Sequence, residues 1–339
     1  MKPSKVKRFI AWAIDHNKPL LFKSSAGCAK TSLVEQVCKA KGVKLVVSHP
    51  VVSQSIDYKG MPWVWQNPET GKPEAMFIEY SDLKILMEAT EKTVFFFDDL
   101  GQAPPTVQAS CMQLLLARKL NDKEVSPHII FFGATNRKED KAGVSGILEP
   151  VKSRFFSIVQ VDVDVQDWVE WAYEEKLPTS LISYVRWRRL DALYKPNPTL
   201  DITNSPNPRT VNFAGQMLKD GIDEDLRQEA FEGSCGEGWA REFTAFLNIT
   251  DLPDIDTILK SPTTAPVPDT KKPDVIYAVA GALIERANKE TFKAIVKYAE
   301  RLPVEFNVCI VKDCILKNKS LGSTTVWQEW IRKYADVLV

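Results

Sequence analysis

Over the first 160 positions the apolar residues fall into runs of two kinds. Val6, Ile10 and Ile14 recur at helical spacing within MKPSKVKRFIAWAIDHNKP. This predicts an amphipathic first helix rather than a secretory leader, because Asp15 and His16 break the apolar stretch. Short continuous apolar runs then occur just before SSAGCAKT, in KLVVSHP (44–50), at Val94–Phe97, at about 128–134 and at about 155–161. Runs of that length predict buried strands. Between them, residues 31–40, about 81–90 and about 106–119 show helical spacing. The alternation predicts a parallel sheet between helices.

Two further patterns stand out. Residues 55–80 carry aromatic stretches on either side of Asn67-Pro68-Glu69-Thr70-Gly71-Lys72, which predicts a hairpin. Trp63 and Trp65 share one of its faces. The expectation is that this face packs on its own domain; the alternative is a hairpin that contacts a partner. After residue 162 the alternation stops. Trp168 and Trp171 at helical spacing and a break at Pro178 predict two helices over 165–194. The loop TLDITNSPNPRT leads Arg209 into the helix TVNFAGQMLKD, and helical pattern continues to about 248, interrupted by GSCGEG at 233–238. The proline-rich stretch 261–273 reads as a linker or extended arm. Residues 274–339 then repeat amphipathic helices. The expected division is a core over 1–162, a helical lid over 163–250, a linker over 251–273 and a helical C-terminal extension over 274–339.

Composition narrows the chemistry. Lys+Arg and Asp+Glu both total 44, so the net charge is zero and no basic excess points to nucleic acid. Six cysteines lie scattered without C-x-x-C pairs and there are only three histidines, which argues against a zinc site and for a reducing, cytoplasmic compartment. No apolar run reaches about 18 residues, so no transmembrane span is expected.

Against that neutral background, SSAGCAKT carries the chemistry. A triphosphate needs closely approaching backbone N–H groups, a cation, a hydroxyl for Mg²⁺ and a helix N-terminus. The loop Ser25, Ala26, Gly27, Cys28, Ala29, with Lys30, Thr31 and Ser32, supplies them. Ser24 and Ala29 occupy the positions where the G-x-x-x-x-G-K-[ST] pattern has glycine. Ala29 is tolerable there if its dihedrals are right-handed helical, which leaves Gly27 as the one permissive site. Asp98 and Asp99 end the strand 94–97 on the edge where open α/β sheets bind ligands. There an acidic residue can hold Mg²⁺ and its neighbour can orient water. Asn136 ends the next strand and can hold a water against a γ-phosphate. Arg209 opens a helix against its macrodipole, which suits an awaiting anion.

The ordered set SSAGCAKT, VFFFDD, GATNR, EPVKSRF and SPNPRT resembles AAA+ ATPases, specifically the MoxR-like branch and its small bacteriophage-encoded members. The resemblance implies an AAA+ P-loop NTPase fold: a five-stranded parallel sheet between helices, an all-helical lid and assembly as a ring, commonly hexameric. In this branch a hairpin is inserted between the second and third strands, matching residues 55–80. The resemblance also implies ATP and Mg²⁺, with Lys30 and Thr31 as the Walker A pair and Asp98 as the Walker B magnesium residue. Asn136 is then sensor 1, Arg154 an arginine finger for the neighbouring subunit, and Arg209 sensor 2 on the lid. Asp99 stands where most members have a water-polarising Glu. One methylene fewer implies slow hydrolysis, since about 1 Å of misplacement costs roughly 100-fold. The implied setting is the cytoplasm of a bacterium or a phage-infected cell, and the implied client is a protein, with von Willebrand factor A domains as typical partners. The alternatives are an ATP-binding switch or scaffold with little turnover and a DNA-acting motor or loader.

Overall fold

The computed structural model describes residues 1–120, 123–137, 146–197, 199, 201–250 and 252–337. The chain forms two compact units, Met1–Asp162 and Val163–Val339.

The first unit opens with α1 (Pro3–Asp15), whose Val6, Ile10 and Ile14 are buried as their spacing predicts. Then follow β1 (Leu20–Ser24), α2 (Lys30–Lys41), β2 (Lys44–Ser48), the ribbon strands β3 (Met61–Gln66) and β4 (Pro73–Ile78), α3 (Asp82–Glu88) and β5 (Thr93–Phe97). The unit continues with α4 (Pro105–Ala117), a two-residue ribbon of β6 (Lys119–Leu120) and β7 (Lys123–Glu124), β8 (Ile129–Asn136), α5 (Glu149–Lys152) and β9 (Ser157–Gln160). Five strands pair in parallel in the order β2-β5-β8-β1-β9.

The strands are apolar on both faces because both are covered. Phe95, Phe97 and Phe131 meet Leu83, Leu86, Val107 and Leu114 of α3 and α4. Val94, Phe96, Ile130 and Phe132 meet α1 and α2 on the other side. Each fully buried phenylalanine contributes roughly 1.5–3 kcal/mol. The predicted five-stranded parallel sheet between helices is therefore present.

The ribbon departs from expectation. All twelve residues of β3 and β4 are exposed, with Val64 67% and Trp63 53% exposed. Strand alternation groups side chains by face, and here neither face packs on its own domain.

The second unit is helical: α6 (Val165–Glu174), α7 (Thr179–Arg188), α8 (Leu190–Leu193), α9 (Pro208–Lys219), α10 (Arg227–Cys235), α11 (Glu237–Leu247), α12 (Ile255–Lys260), α13 (Pro273–Glu285), α14 (Phe292–Ala299), α15 (Val304–Lys317) and α16 (Thr325–Lys333). One apolar core runs through it from Trp168 to Trp330. Helices α7 and α13 pack so closely that a Cβ at Gly281 would lie 2.5 Å from Ser183 Oγ. The residues expected to form separate lid and extension thus share one core. The stretch expected as a linker is also built in. It contains α12, buries Ala265, and its Pro266 and Pro262 carbonyls accept hydrogen bonds from Tyr298 and Arg301 at 2.8 Å each. Asp251 and the last two positions of those ranges lie outside the described residues.

Within this core Arg186 donates through Nε and Nη2 to both oxygens of buried Asp313, at 3.0 and 2.5 Å, and Tyr173 Oη adds a bond at 3.2 Å. Removing one partner of such a pair strands the other charge. Asp313→Ala is expected to destabilise the helical unit by about 3–5 kcal/mol, read as a lowered denaturant midpoint. A loss below about 1 kcal/mol, the surface-pair range, contradicts this account of the pair.

Candidate nucleotide site at the C-terminal edge of the sheet

Strand register brings the predicted residues together. Ser24 at the end of β1 lies opposite Asn136 at the end of β8, and Phe97 at the end of β5 lies opposite Gly133 one strand over. The loop Ser25–Ala29 springs from β1, where the chain order reverses within the sheet, the usual place for a ligand crevice. Gly27 has φ 74°, and the helix α2 begins at Lys30 directly after the loop.

Lys30 is buried. Its Nζ donates to Asn136 Oδ1 at 2.6 Å, Ser25 O at 3.1 Å and Ser24 Oγ at 3.2 Å. Asn136 passes the connection on, its Nδ2 donating to Asp99 Oδ1 at 3.2 Å. Beside them Thr31 Oγ1 donates to Asp98 Oδ2 at 2.8 Å, and the Asp99 N–H donates to Asp98 Oδ1 at 3.0 Å. Six side chains, of Ser24, Lys30, Thr31, Asp98, Asp99 and Asn136, therefore form one hydrogen-bonded cluster, its two parts joined through the Asp99 N–H.

Two backbone conformations in the cluster are unusual. Ala29 caps α2 in the left-handed region, φ 61° and ψ 24°, which overturns the expectation of right-handed dihedrals there. The loop must turn sharply to aim N–H groups inward, and its last position takes the strain even without glycine. A Cβ in this region costs roughly 1–2 kcal/mol. Ala29→Gly is therefore expected to stabilise the first unit by about 0.5–1 kcal/mol after the added freedom of the unfolded chain is counted. Thermal unfolding with a raised midpoint bears this out, and a lowered one refutes it. Asp99 is also left-handed, φ 53° and ψ 32°, a conformation that aspartate tolerates better than most residues.

The donor set fits a magnesium nucleotide. Thr31 and Asp98 offer hard oxygens side by side, and no group of three His, Cys, Asp or Glu occurs among the described residues. Mg²⁺ characteristically uses one or two protein oxygens and completes its shell with phosphate and water. Burial pushes the Cys38 thiol of α2 up to about 11, which keeps it protonated and unsuited to hold a metal.

Arg154 does not join the cluster. It lies three residues before Ser157, which pairs with Leu20 at the N-terminal end of β1. The P-loop leaves the opposite end, roughly 13 Å away at ~3.3 Å per residue. The Nε of Arg154 is buried without a hydrogen-bond partner. Arg209 belongs to the second unit, where Asn207 caps α9 and accepts from the Arg209 N–H at 3.0 Å. Pattern reading missed two neighbours of the site. Arg137, directly after Asn136 in GATNR, donates to Ser25 Oγ. Gly101 packs so tightly that a Cβ there would meet Thr135 Oγ1 at 2.1 Å.

No protein-family model matches the sequence, and no curated protein matches it. Among solved structures, the Thermotoga maritima RuvB Holliday junction branch migration motor is similar over 83% of this chain and 81% of that one, at 17% identity and a TM-score of 0.40. NtrX from Brucella abortus, in complex with ADP, is similar over 99% of this chain and 68% of that one, at 12% identity and a TM-score of 0.43. In this chain itself, strand order and loop geometry establish an α/β fold with a P-loop on β1, between β8 and the edge strand β9, followed by an all-helical unit.

Proposed function

We propose that the protein is an AAA+ ATPase of MoxR-like type, which binds ATP·Mg²⁺ at subunit interfaces of a homo-oligomeric ring and uses hydrolysis to act on a partner protein. The observation that carries this reading is the chain Lys30 to Asn136 to Asp99, with Thr31 and Asp98 beside it. Lys30 and the loop N–H groups bind the triphosphate. Thr31 and Asp98 would hold Mg²⁺, which would supply charge neutralisation to the transferring phosphate. Asp99 and Asn136 hold the attacking water in line, and Asp99 takes its proton. Arg154 is supplied by the neighbouring subunit, and Arg209 is the sensor on the helical part, so that both meet the charge that develops during phosphoryl transfer. The ordered motifs from SSAGCAKT to SPNPRT and the hairpin between the second and third sheet strands support the MoxR-like, phage-type assignment. A hexamer, a von Willebrand factor A client and a cytoplasmic setting belong to the same reading. No helix among the described residues is long and apolar enough to cross a membrane.

Asp99 favours a second reading, an oligomeric ATP switch with little turnover, because its carboxylate is one methylene short. The test is steady-state ATPase activity with light scattering on wild type and Asp99→Asn. Turnover confined to the oligomer and lost in Asp99→Asn supports the ATPase. Tight ATP binding without turnover in wild type favours the switch. Stimulation by DNA rather than by a protein moves the reading to a DNA-acting motor.

A further inference from the structure

The β3–β4 ribbon has no use in the chemistry above, and its surface is the least expected feature of the chain. Register puts Trp63 opposite Met76 and Met61 opposite Ile78, so these side chains and Trp65 share one face. Val64 and Phe77 lie on the other face, 67% and 45% exposed. Both faces are thus apolar and open. A two-stranded ribbon is marginal by itself in water, and Trp63, Val64, Trp65, Met76, Phe77 and Ile78 are each 38–67% exposed. Divided between the two faces, this surface forms patches of roughly the few-hundred-Å² size that marks an interaction site on a single chain.

The ribbon is held firmly at its root. Tyr58, buried just before it, bonds Ser48 Oγ at 2.7 Å, and the Ser48 carbonyl accepts from the Asp98 N–H at 2.9 Å. Tyr80, just after it, donates to Asp57 at 2.6 Å. A Cβ at Gly60 would lie 2.9 Å from the Ile78 carbonyl oxygen, so only glycine lets the two ends cross this closely.

We propose that this ribbon is a contact between copies of the chain, each ribbon held between the ribbons or flanks of two neighbours. The inference rests on the oligomeric reading above. Two apolar faces need two covers, and a closed head-to-tail assembly gives every copy a neighbour on each side. Nucleic acid is a poor fit, because residues 61–78 carry Glu69 and Glu74 against the single Lys72. A bilayer is also a poor fit, because the tip Asn67–Lys72 is polar and the apolar residues lie nearer the root.

The test uses the full chain carrying Trp63→Ser or Phe77→Ser, one substitution for each face, with Trp63→Phe as the conservative control. Light scattering with ATP gives the assembly mass, and a fluorescent ATP analogue gives binding in the same samples. Wild type and Trp63→Phe are expected to assemble. Each serine variant is expected to fall toward the 38.2 kDa protomer while nucleotide affinity stays within about twofold, since neither residue touches the nucleotide cluster. Serine variants that assemble like wild type overturn the ribbon contact and leave the ring reading standing. A wild type that stays a protomer with ATP overturns the oligomeric reading, and this inference with it. Loss of assembly together with loss of ATP binding would show a damaged fold, and it also counts against a contact confined to the ribbon.

Discussion

Lys30→Ala is expected to raise the dissociation constant for ATP at least about 100-fold and to bring turnover below detection. The ammonium is bonded directly into the cluster between the ends of β1 and β8, and it is buried. A charge-assisted hydrogen bond is worth about 1.5–3 kcal/mol, and Lys30 offers a triphosphate more than one. Its loss also leaves Asn136 Oδ1 without the donor now 2.6 Å away, which loosens the residue that holds Asp99. Binding of a fluorescent ATP analogue checks the first part and a coupled phosphate-release assay the second. An unchanged melting temperature, or one raised by relief of a buried charge, separates lost binding from lost folding. Affinity within threefold of wild type would contradict the placement of the phosphates at this loop.

The second large effect is expected from Arg154→Ala. Turnover should fall about 10³-fold or more, the usual worth of an arginine finger, while ATP binding stays near wild type. The strand register places Arg154 at the end of the sheet remote from Lys30, farther than its side chain reaches, so a catalytic role requires a second chain. Single-turnover measurements at saturating ATP check the split between binding and rate.

How much of this was legible in the sequence varied with the range of the cause. Strands such as Val94–Phe97 announced themselves because a run buried on both faces must be apolar throughout. Lys30, Thr31, Asp98, Asp99 and Asn136 were legible because each ends or follows such a run, and parallel register brings those ends to one edge. The left-handed backbone at Ala29 was hidden, since the usual signal for positive φ is glycine and the residue there carries a Cβ. The exposure of the ribbon was equally hidden, because alternation sorts residues by face without saying what covers a face. The proline-rich stretch reads as a linker or extended arm because its local composition carries no sign of what it packs against. What orders it comes from Tyr298 and Arg301, more than thirty residues downstream, and no local pattern carries that. Arg137 had a local signal, its place directly after Asn136, which was not used.

The central claim is that each active site is shared between two chains, and mixing two inactive variants tests it most directly. Under the proposed function, Lys30→Ala keeps the finger and lacks the phosphate site; Arg154→Ala keeps the site and lacks the finger. In a head-to-tail assembly formed at random from equal amounts, about a quarter of the interfaces pair an intact site with an intact finger. The account predicts that ATPase activity, absent from either variant alone, appears on mixing at roughly that fraction of wild type. Mixed assemblies that form and remain inactive, or an Arg154→Ala variant that is active alone, would contradict it.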